Sequence, residues 1–248
     1  MSLFKRTRKG TTEQYQYYNK RKMGISKSDC RLLFYSKKLN VDFENTLTLG
    51  RLQLRVAKED LRRYMIKYYS KQINVEDVKF PDEFAEPLFK ILGAKYVESI
   101  DYSPYQKATI IHDLNYPVAE ENHNRFSCIV DGGTLEHVFN FPAAIKNCMN
   151  MLKTGGHYIG ISPANNQMGH GFYQLSPELY YRIFSEENGF EVKKMFVTVS
   201  GNDETEWFEV ADPKNVHSRV TLVNNVPLSL MIIAEKKSDK EVFLTMPQ

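Results

Sequence analysis

Residues 126–163, FSCIVDGGTLEHVFNFPAAIKNCMNMLKTGGHYIGISP, decide how the chain folds. Phe126 to Val130 is a short apolar run of the length of one buried strand, and it stops at Asp131-Gly132-Gly133, where a carboxylate and two flexible residues can meet a ligand. From Phe139 to Leu152 the apolar residues Phe141, Ala144, Ile145, Cys148, Met149 and Leu152 recur at helical spacing. Lys153 suits the negative end of that helix, and Gly155-Gly156 is expected to stop it. His157 to Pro163 reads as the next strand. Two strands joined by a helix of this length make a right-handed parallel crossover, and ligands of such sheets sit beyond the carboxyl ends of the strands. That puts Asp131, Gly132, Glu136, His137, Ser162 and Asn165 at one rim.

Outward from this unit, Asn45–Leu49 ending at Gly50, Tyr96–Ile100 ending at Asp101, and Ala108–Ile111 ending at His112-Asp113 read as further strands. Ala57–Tyr69 and Glu83–Leu92 read as helices, the second stopped by Gly93. After the loop that holds His170, Ser176 caps a helix running to about Glu187. Phe190–Val199 and Leu228–Ala234 close as an antiparallel pair, with the polar stretch 200–226 between them. Strands alternating with helices imply an α/β, doubly wound, mostly parallel sheet of seven strands.

The text Asp-Gly-Gly-Thr-Leu-Glu-His-Val at 131–138, then a helix, then Leu-Lys-Thr-Gly-Gly at 152–156, resembles the fourth-to-fifth strand region of class I S-adenosylmethionine (SAM)-dependent methyltransferases. Thr154 stands where that family usually has Pro. The likeness covers about residues 43–236 and implies a Rossmann-like domain over 43–248, preceded by a basic extension over 1–42. It implies methyl transfer from SAM, and oxygen of a small or saccharide-like molecule is the acceptor expected. The other readings left open are a methyltransferase-like binding protein without catalysis and a nucleic-acid methyltransferase.

The resemblance also implies roles. Asp101, ending the second strand, would hold the ribose hydroxyls; Asp113 would accept the adenine amino group, with the Leu114 N–H on the ring. Loop capping is the competing role for either Asp. The family's first glycine-rich loop is reduced here to Gly50, with Gln53 as a further contact, while Asp131 and Gly132 complete the cofactor set. Glu136, His137 and His170 are the catalytic candidates, a histidine being the expected base; a helix-end hydrogen bond for His137 and loop support for His170 are the alternatives. Asn165, Asn166, Tyr173 and Gln174 are candidate acceptor contacts. Some relatives hold a divalent ion with Glu-x-x-Glu-His and a later His. Gly133 occupies the first acidic position here, so no metal ligand is assigned, although Glu136, His137 and His170 remain as an incomplete shell.

Composition narrows the class. The 248 residues are 42% hydrophobic, enough for a full core, and no apolar run approaches the length of a membrane span. The first ten residues lack the apolar core of a signal peptide, and Cys30, Cys128 and Cys148 form no paired framework, so a reduced cytoplasmic setting is expected. Over residues 1–40, eleven Lys or Arg stand against two acids, a local charge of +9, which leaves −6 for the rest of a chain whose total is +3. With Tyr15, Tyr17 and Tyr18 among the charges, this arm suits nucleic acid or another polyanion, and equally a solvated lead-in.

Overall fold

The computed structural model describes residues 24–69, 74–201, 206–218 and 220–247. The chain runs β1 (Gly24–Ile25), α1 (Lys27–Ser36), β2 (Asn45–Leu49), β3 (Gln53–Leu54), α2 (Lys58–Tyr68), α3 (Glu86–Ile91), β4 (Tyr96–Asp101), β5 (Ile110–Ile111), β6 (Phe126–Asp131), α4 (Phe141–Met151), β7 (Leu152–Pro163), α5 (Pro177–Ile183), β8 (Phe190–Val199), β9 (Phe208–Glu209), α6 (Pro213–Val216) and β10 (Leu228–Lys236). Eight strands form one sheet in the order β5-β4-β2-β6-β7-β10-β8-β9. The run from β5 to β7 is parallel, and β10 lies antiparallel between β7 and β8. From β2 the chain winds outward to β4 and β5, then returns to β6 on the other side of β2. The β2/β6 boundary is therefore the topological switch point, where the loops leaving neighbouring strands diverge and open a crevice.

The sheet is buried on both faces, which is why β6 and the middle of β10 read as largely apolar runs. All six residues of β6 are buried. Along β10 the side chains alternate between two cores: Leu230, Ile232 and Ala234 join α4 and α5 on one face, while Met231 and Ile233 join α1, α2 and α3 on the other. Local signals fix the helix ends. Ser26 and Asp29 form a reciprocal capping box at α1, and Ser176 accepts from the Leu179 N–H at α5, with Pro177 in the first turn.

The doubly wound sheet is as expected, with an eighth strand, β9, added at the edge beside β8. Four local expectations are corrected. Gly155-Gly156 does not stop α4: Leu152 leaves the helix in an extended conformation, and β7 runs through both glycines from Leu152, with the register against β6 shifting between Phe126 and Cys128. The helix expected over 83–92 is confined to Glu86–Ile91, because residues 82–85 are taken up by pairing with the 52–54 segment through Leu54 N–Glu83 O and Ala85 N–Leu52 O bonds. The 200–226 stretch carries β9 and α6. The helix capped by Ser176 ends at Ile183 rather than near Glu187, and β3 follows the Gly50 turn, paired with β1 in a two-stranded parallel sheet.

Of the basic extension, residues 1–23, with Tyr15, Tyr17 and Tyr18, lie outside the described residues. The described part, from Gly24, sends Ile25, Cys30, Leu32, Leu33 and Phe34 into the same core as the sheet, each 0% exposed. All three cysteines are buried and free. Among the described residues no helix is long and apolar enough to cross a membrane.

Candidate functional site

Three loops meet above the switch point. At the end of β2, Gly50 takes φ +73°, a left-handed conformation that disfavours any side chain, and its N–H donates to Ile100 O at 2.8 Å. Thr134, just past β6, donates its hydroxyl to Leu49 O at 2.8 Å. The ends of β2, β4 and β6 are thereby tied together. Arg51 is turned aside: its guanidinium stacks on Phe84 at 3.8 Å and pairs with Glu86 at 2.6 Å and Asp82 at 3.2 Å.

Between these loops lies a cavity of about 1110 Å³. Five of the seven residues expected to hold a cofactor line it: Gly50, Gln53, Asp101, Asp113 and Leu114, and His137 stands at its edge. Asp101 Oδ1 accepts the Ser103 N–H at 2.9 Å, and Oδ2 lies 3.8 Å from where a Gly50 Cβ would stand. One carboxylate oxygen is thus engaged in positioning the residue, and the other borders the bare glycine turn. Asp113 is a turn cap as well as a lining residue. Its Oδ1 accepts from both the N–H and the side chain of Asn115, at 3.0 and 2.7 Å, and the backbone bond first, then the side-chain bond, hold the carboxyl below its usual range. Leu114 is buried behind it, its carbonyl accepting from Asn147. Gln53, in β3, is 7% exposed.

The other two expected cofactor residues do not line this cavity. Asp131 is fully buried and its carboxylate is engaged internally: Oδ1 accepts the Gly133 and Thr134 N–H groups at 3.2 and 2.8 Å, and Oδ2 accepts the Tyr158 hydroxyl at 2.9 Å. Burial, then the charge of Glu136, raises its pKa far above the ordinary carboxylate range. Gly132 packs beneath Leu52, whose side chain lies 3.1 Å from a Cβ placed there. Sequence reading missed Thr134, Arg51, Tyr102 and Tyr105 as lining residues. The Tyr-Ser-Pro-Tyr text after Asp101 was the available signal for the tyrosines; nothing in the sequence marked Thr134.

The three catalytic candidates are brought together. Glu136 sits in a single 3-10 turn, Leu135–His137, and is 1% exposed. Its carbonyl accepts the Phe172 and Tyr173 N–H groups at 2.8 and 3.3 Å, which lays the His170 loop directly over it. Gly171, at φ +71°, makes this approach possible, since a Cβ there would come within 2.8 Å of Glu136 O. His170 Nε2 then lies 3.4 Å and His137 Nε2 3.9 Å from Glu136 Oε1. The contact with Glu136 raises the His170 pKa against a smaller opposing effect of burial. One ligand atom from each of the three residues lies within 4.8 Å of the others, a grouping with the donor types to hold a cation.

Asn165, Asn166 and Gln174 line a second cavity of about 1450 Å³, beyond the ends of β7 and β8 and the start of β10. Gly169 also borders it, so the His170 loop has the second cavity on one side and the His137 edge of the first on the other. Asn166 braces this wall, its amide donating to Asn224 Oδ1 at 2.8 Å and Val226 O at 3.0 Å. Tyr173 does not line the cavity. It donates to Phe139 O at 2.6 Å and packs on Phe141, tying the His170 loop to the start of α4.

No family model matches this chain, and no curated protein matches it. Among solved structures, it is similar to the N-methyltransferase NodS of Bradyrhizobium japonicum with S-adenosylhomocysteine (14% identity, TM-score 0.43, covering 84% of this chain and 86% of that one). It is similar to the 1,6-didemethyltoxoflavin-N1-methyltransferase of Burkholderia thailandensis with the same ligand (9%, 0.41, 86% and 80%). It is also similar to the [4+2]-cyclase SpnF (11%, 0.45, 89% and 85%). Likenesses this loose carry no conclusion about chemistry.

Proposed function

We propose that this chain is a SAM-dependent methyltransferase that methylates an oxygen of a small, hydroxyl-rich acceptor. The observation that carries the reading is the position of Asp101: a strand-end carboxylate, one oxygen held by its own turn and the other beside the bare Gly50 backbone, in a cavity at the switch point. A vicinal diol is the ligand group that such a carboxylate binds in nucleotide sites. At about 1110 Å³ the cavity is large enough for a cofactor, small-molecule pockets running from about 300 to 1,000 Å³. Asp113 and the Leu114 backbone stand where an adenine edge can be read, and Gln53 lies on the β3 side.

The acceptor enters from the second cavity, whose lining mixes amides and hydroxyls (Asn165, Gln174, Ser176, Asn225) with Leu175 and Val220, a wall suited to a sugar-like molecule. Positioning the acceptor oxygen in line with the sulfonium methyl supplies much of the acceleration. His170 supplies the base. With Nε2–H directed to Glu136, its Nδ1 is left to take the hydroxyl proton as the oxygen attacks, and Glu136 fixes the ring's tautomer and offsets the imidazolium charge.

Calorimetry of the purified chain with SAM and with S-adenosylhomocysteine tests the cofactor half of the reading; micromolar one-to-one binding is expected, and no heat with either ligand would overturn it. For the chemical half, His170→Ala should lower turnover on an identified acceptor by about 10²–10⁴-fold while SAM affinity stays within a few fold. Turnover that survives this change removes His170 as the base.

A further inference from the structure

We propose that the acceptor carries a hydrocarbon chain, and that Phe139, Phe172 and Met168 form the ledge on which this chain lies while the hydroxyl meets His170. The inference rests on the reading of the His170 region as the acceptor site. Phe139 follows His137 by two residues, and Phe172 follows His170 by two. The two phenyl rings meet edge to face with centroids 5.7 Å apart, beside a histidine pair whose centroids are 5.2 Å apart. The aromatic pair is thus separated from the candidate base by two residues of chain, a reach of at most about 7 Å. Met168 precedes His170 by two residues and lies on the wall of the second cavity, which it shares with Leu175, Val220 and Leu222. Apolar surface therefore flanks His170 on both sides.

Exposure is the first observation that asks for a ligand. Phe139, Phe172 and Met168 are 72%, 63% and 89% exposed. Single exposed apolar side chains are ordinary, whereas three around one candidate base, at the mouth of a polar cavity, mark a binding surface. The second observation is that the rings are exposed while their backbones are fixed. The Phe172 N–H donates to Glu136 O at 2.8 Å, and Phe139 O accepts the Tyr173 hydroxyl at 2.6 Å. A surface arranged in advance binds without the cost of ordering itself.

The occupant is part of a small molecule rather than a protein. Three side chains fall far short of the roughly 20–30 residues a side that a stable protein interface uses. The amides and hydroxyls of the second cavity take the polar part of the acceptor, and the ledge takes the hydrocarbon. The acceptor class is amphiphilic: a hydroxyl-bearing head with an alkyl tail.

The test uses the full chain and two homologous series, each below its micelle-forming concentration: n-alkyl β-D-glucosides from methyl to octyl, and n-alkanols from butanol to octanol. Affinities are read by ligand-observed NMR titration. With one side of the tail on the ledge and the other in water, each added methylene should tighten binding by about twofold. That is half of the roughly 0.8 kcal/mol per buried methylene, converted at about 1.4 kcal/mol per factor of ten. Phe139→Ser and Phe172→Ser should each flatten this slope, and the double variant should abolish it. Ile66→Ser, at a comparably exposed apolar residue of α2, should leave it unchanged. All are surface changes, and melting temperatures check that the variants fold. A flat series in the parent, or a slope indifferent to Phe139 and Phe172, overturns the proposal. The head is judged separately. Octyl glucoside that binds no tighter than octanol would remove the sugar-like head from the acceptor reading and leave the ledge in place. Saturable binding of methyl glucoside with no dependence on chain length would keep the head and remove the ledge.

Discussion

Asp101 and Asp131 end the two strands that flank β2, one on each side, and they do opposite things. Asp101 keeps one oxygen for the cavity, and Asp101→Ala should weaken SAM binding by about 1.5–3 kcal/mol, the worth of a hydrogen bond to a charged group, read by calorimetry on a variant of unchanged melting temperature. Asp131 has folded back on its own loop, and its signature is in stability. Burial pushes its pKa up to about 7, with the Glu136 charge adding to the effect, whereas in the unfolded chain it titrates near ~3.9. Between these values the folded protein holds a proton that the unfolded chain has released. The contribution is therefore fully present below about pH 4 and is lost as pH rises through about 7. Asp131→Asn keeps the acceptor for the two N–H groups and cannot ionise, so urea midpoints from pH 4 to 8 should fall less for the variant than for the parent. Parallel profiles would show that Asp131 is ionised throughout. Both residues are acids at strand ends in the sequence, and nothing there says which one will bend back onto its own loop. Asn166, read as an acceptor contact, lines the second cavity while its amide also braces Asn224 and Val226, a second task that the sequence does not show.

At the scale of elements, the sequence spoke most clearly where one physical pattern dominated. β2 and β8 fall on their expected bounds: β2 alternates Leu47 and Leu49 with Thr and stops at Gly50, and β8 starts just after Gly189 and ends at the polar 200–226 stretch. The switch from α4 to β7 was misplaced because glycines stop helices by default, yet here the sheet register reached Leu152 first. β1 and β3, of two residues each, are too short to carry a period. The His170 loop was recognised from its glycines, and its dependence on them gives a prediction. Gly171→Ala forces a side chain into the left-handed region and against Glu136 O at 2.8 Å. A cost of about 1–3 kcal/mol is expected for such strain, measured by urea unfolding. Because the loop hangs on Glu136 through Phe172 and Tyr173, the same variant should lose turnover while SAM binding persists. A variant as stable and active as the parent would show that the loop tolerates a different path.

Across the whole molecule, the boundary between a basic lead-in and a folded domain is tested by truncation. Ile25, Cys30, Leu32, Leu33 and Phe34 are all 0% exposed. Burial of each large apolar side chain is worth about 1.5–3 kcal/mol, so losing four such side chains and a thiol takes away most or all of a typical total of about 5–15 kcal/mol. Removing residues 1–36 should therefore give a chain without a cooperative melting transition. A truncated chain that melts near the parent temperature would show that the sheet and its remaining helices suffice. The resemblance put a division at residue 42 and the charge count ran to residue 40, whereas packing in the described part depends on where the apolar face of α1 lies, and neither can see that face.

The position of β10 has a consequence for how the protein is made. It is the last strand in chain order among the described residues, yet it lies inside the sheet, paired with β7 over Ser229–Glu235 and with β8 over Leu228–Lys236. While a ribosome is still working through residues 200–227, β7 and β8 have both been synthesised and neither has its partner. Each then presents a bare row of backbone donors and acceptors to whatever surrounds the ribosome, a neighbouring nascent chain included. The gap closes only when residue 236 clears the exit tunnel. Synthesis is thus held to a late, single commitment: a message cut short anywhere before codon 228 yields a polypeptide with most of its hydrophobic residues and two sticky edges, a substrate for chaperones and proteases rather than a smaller version of the fold.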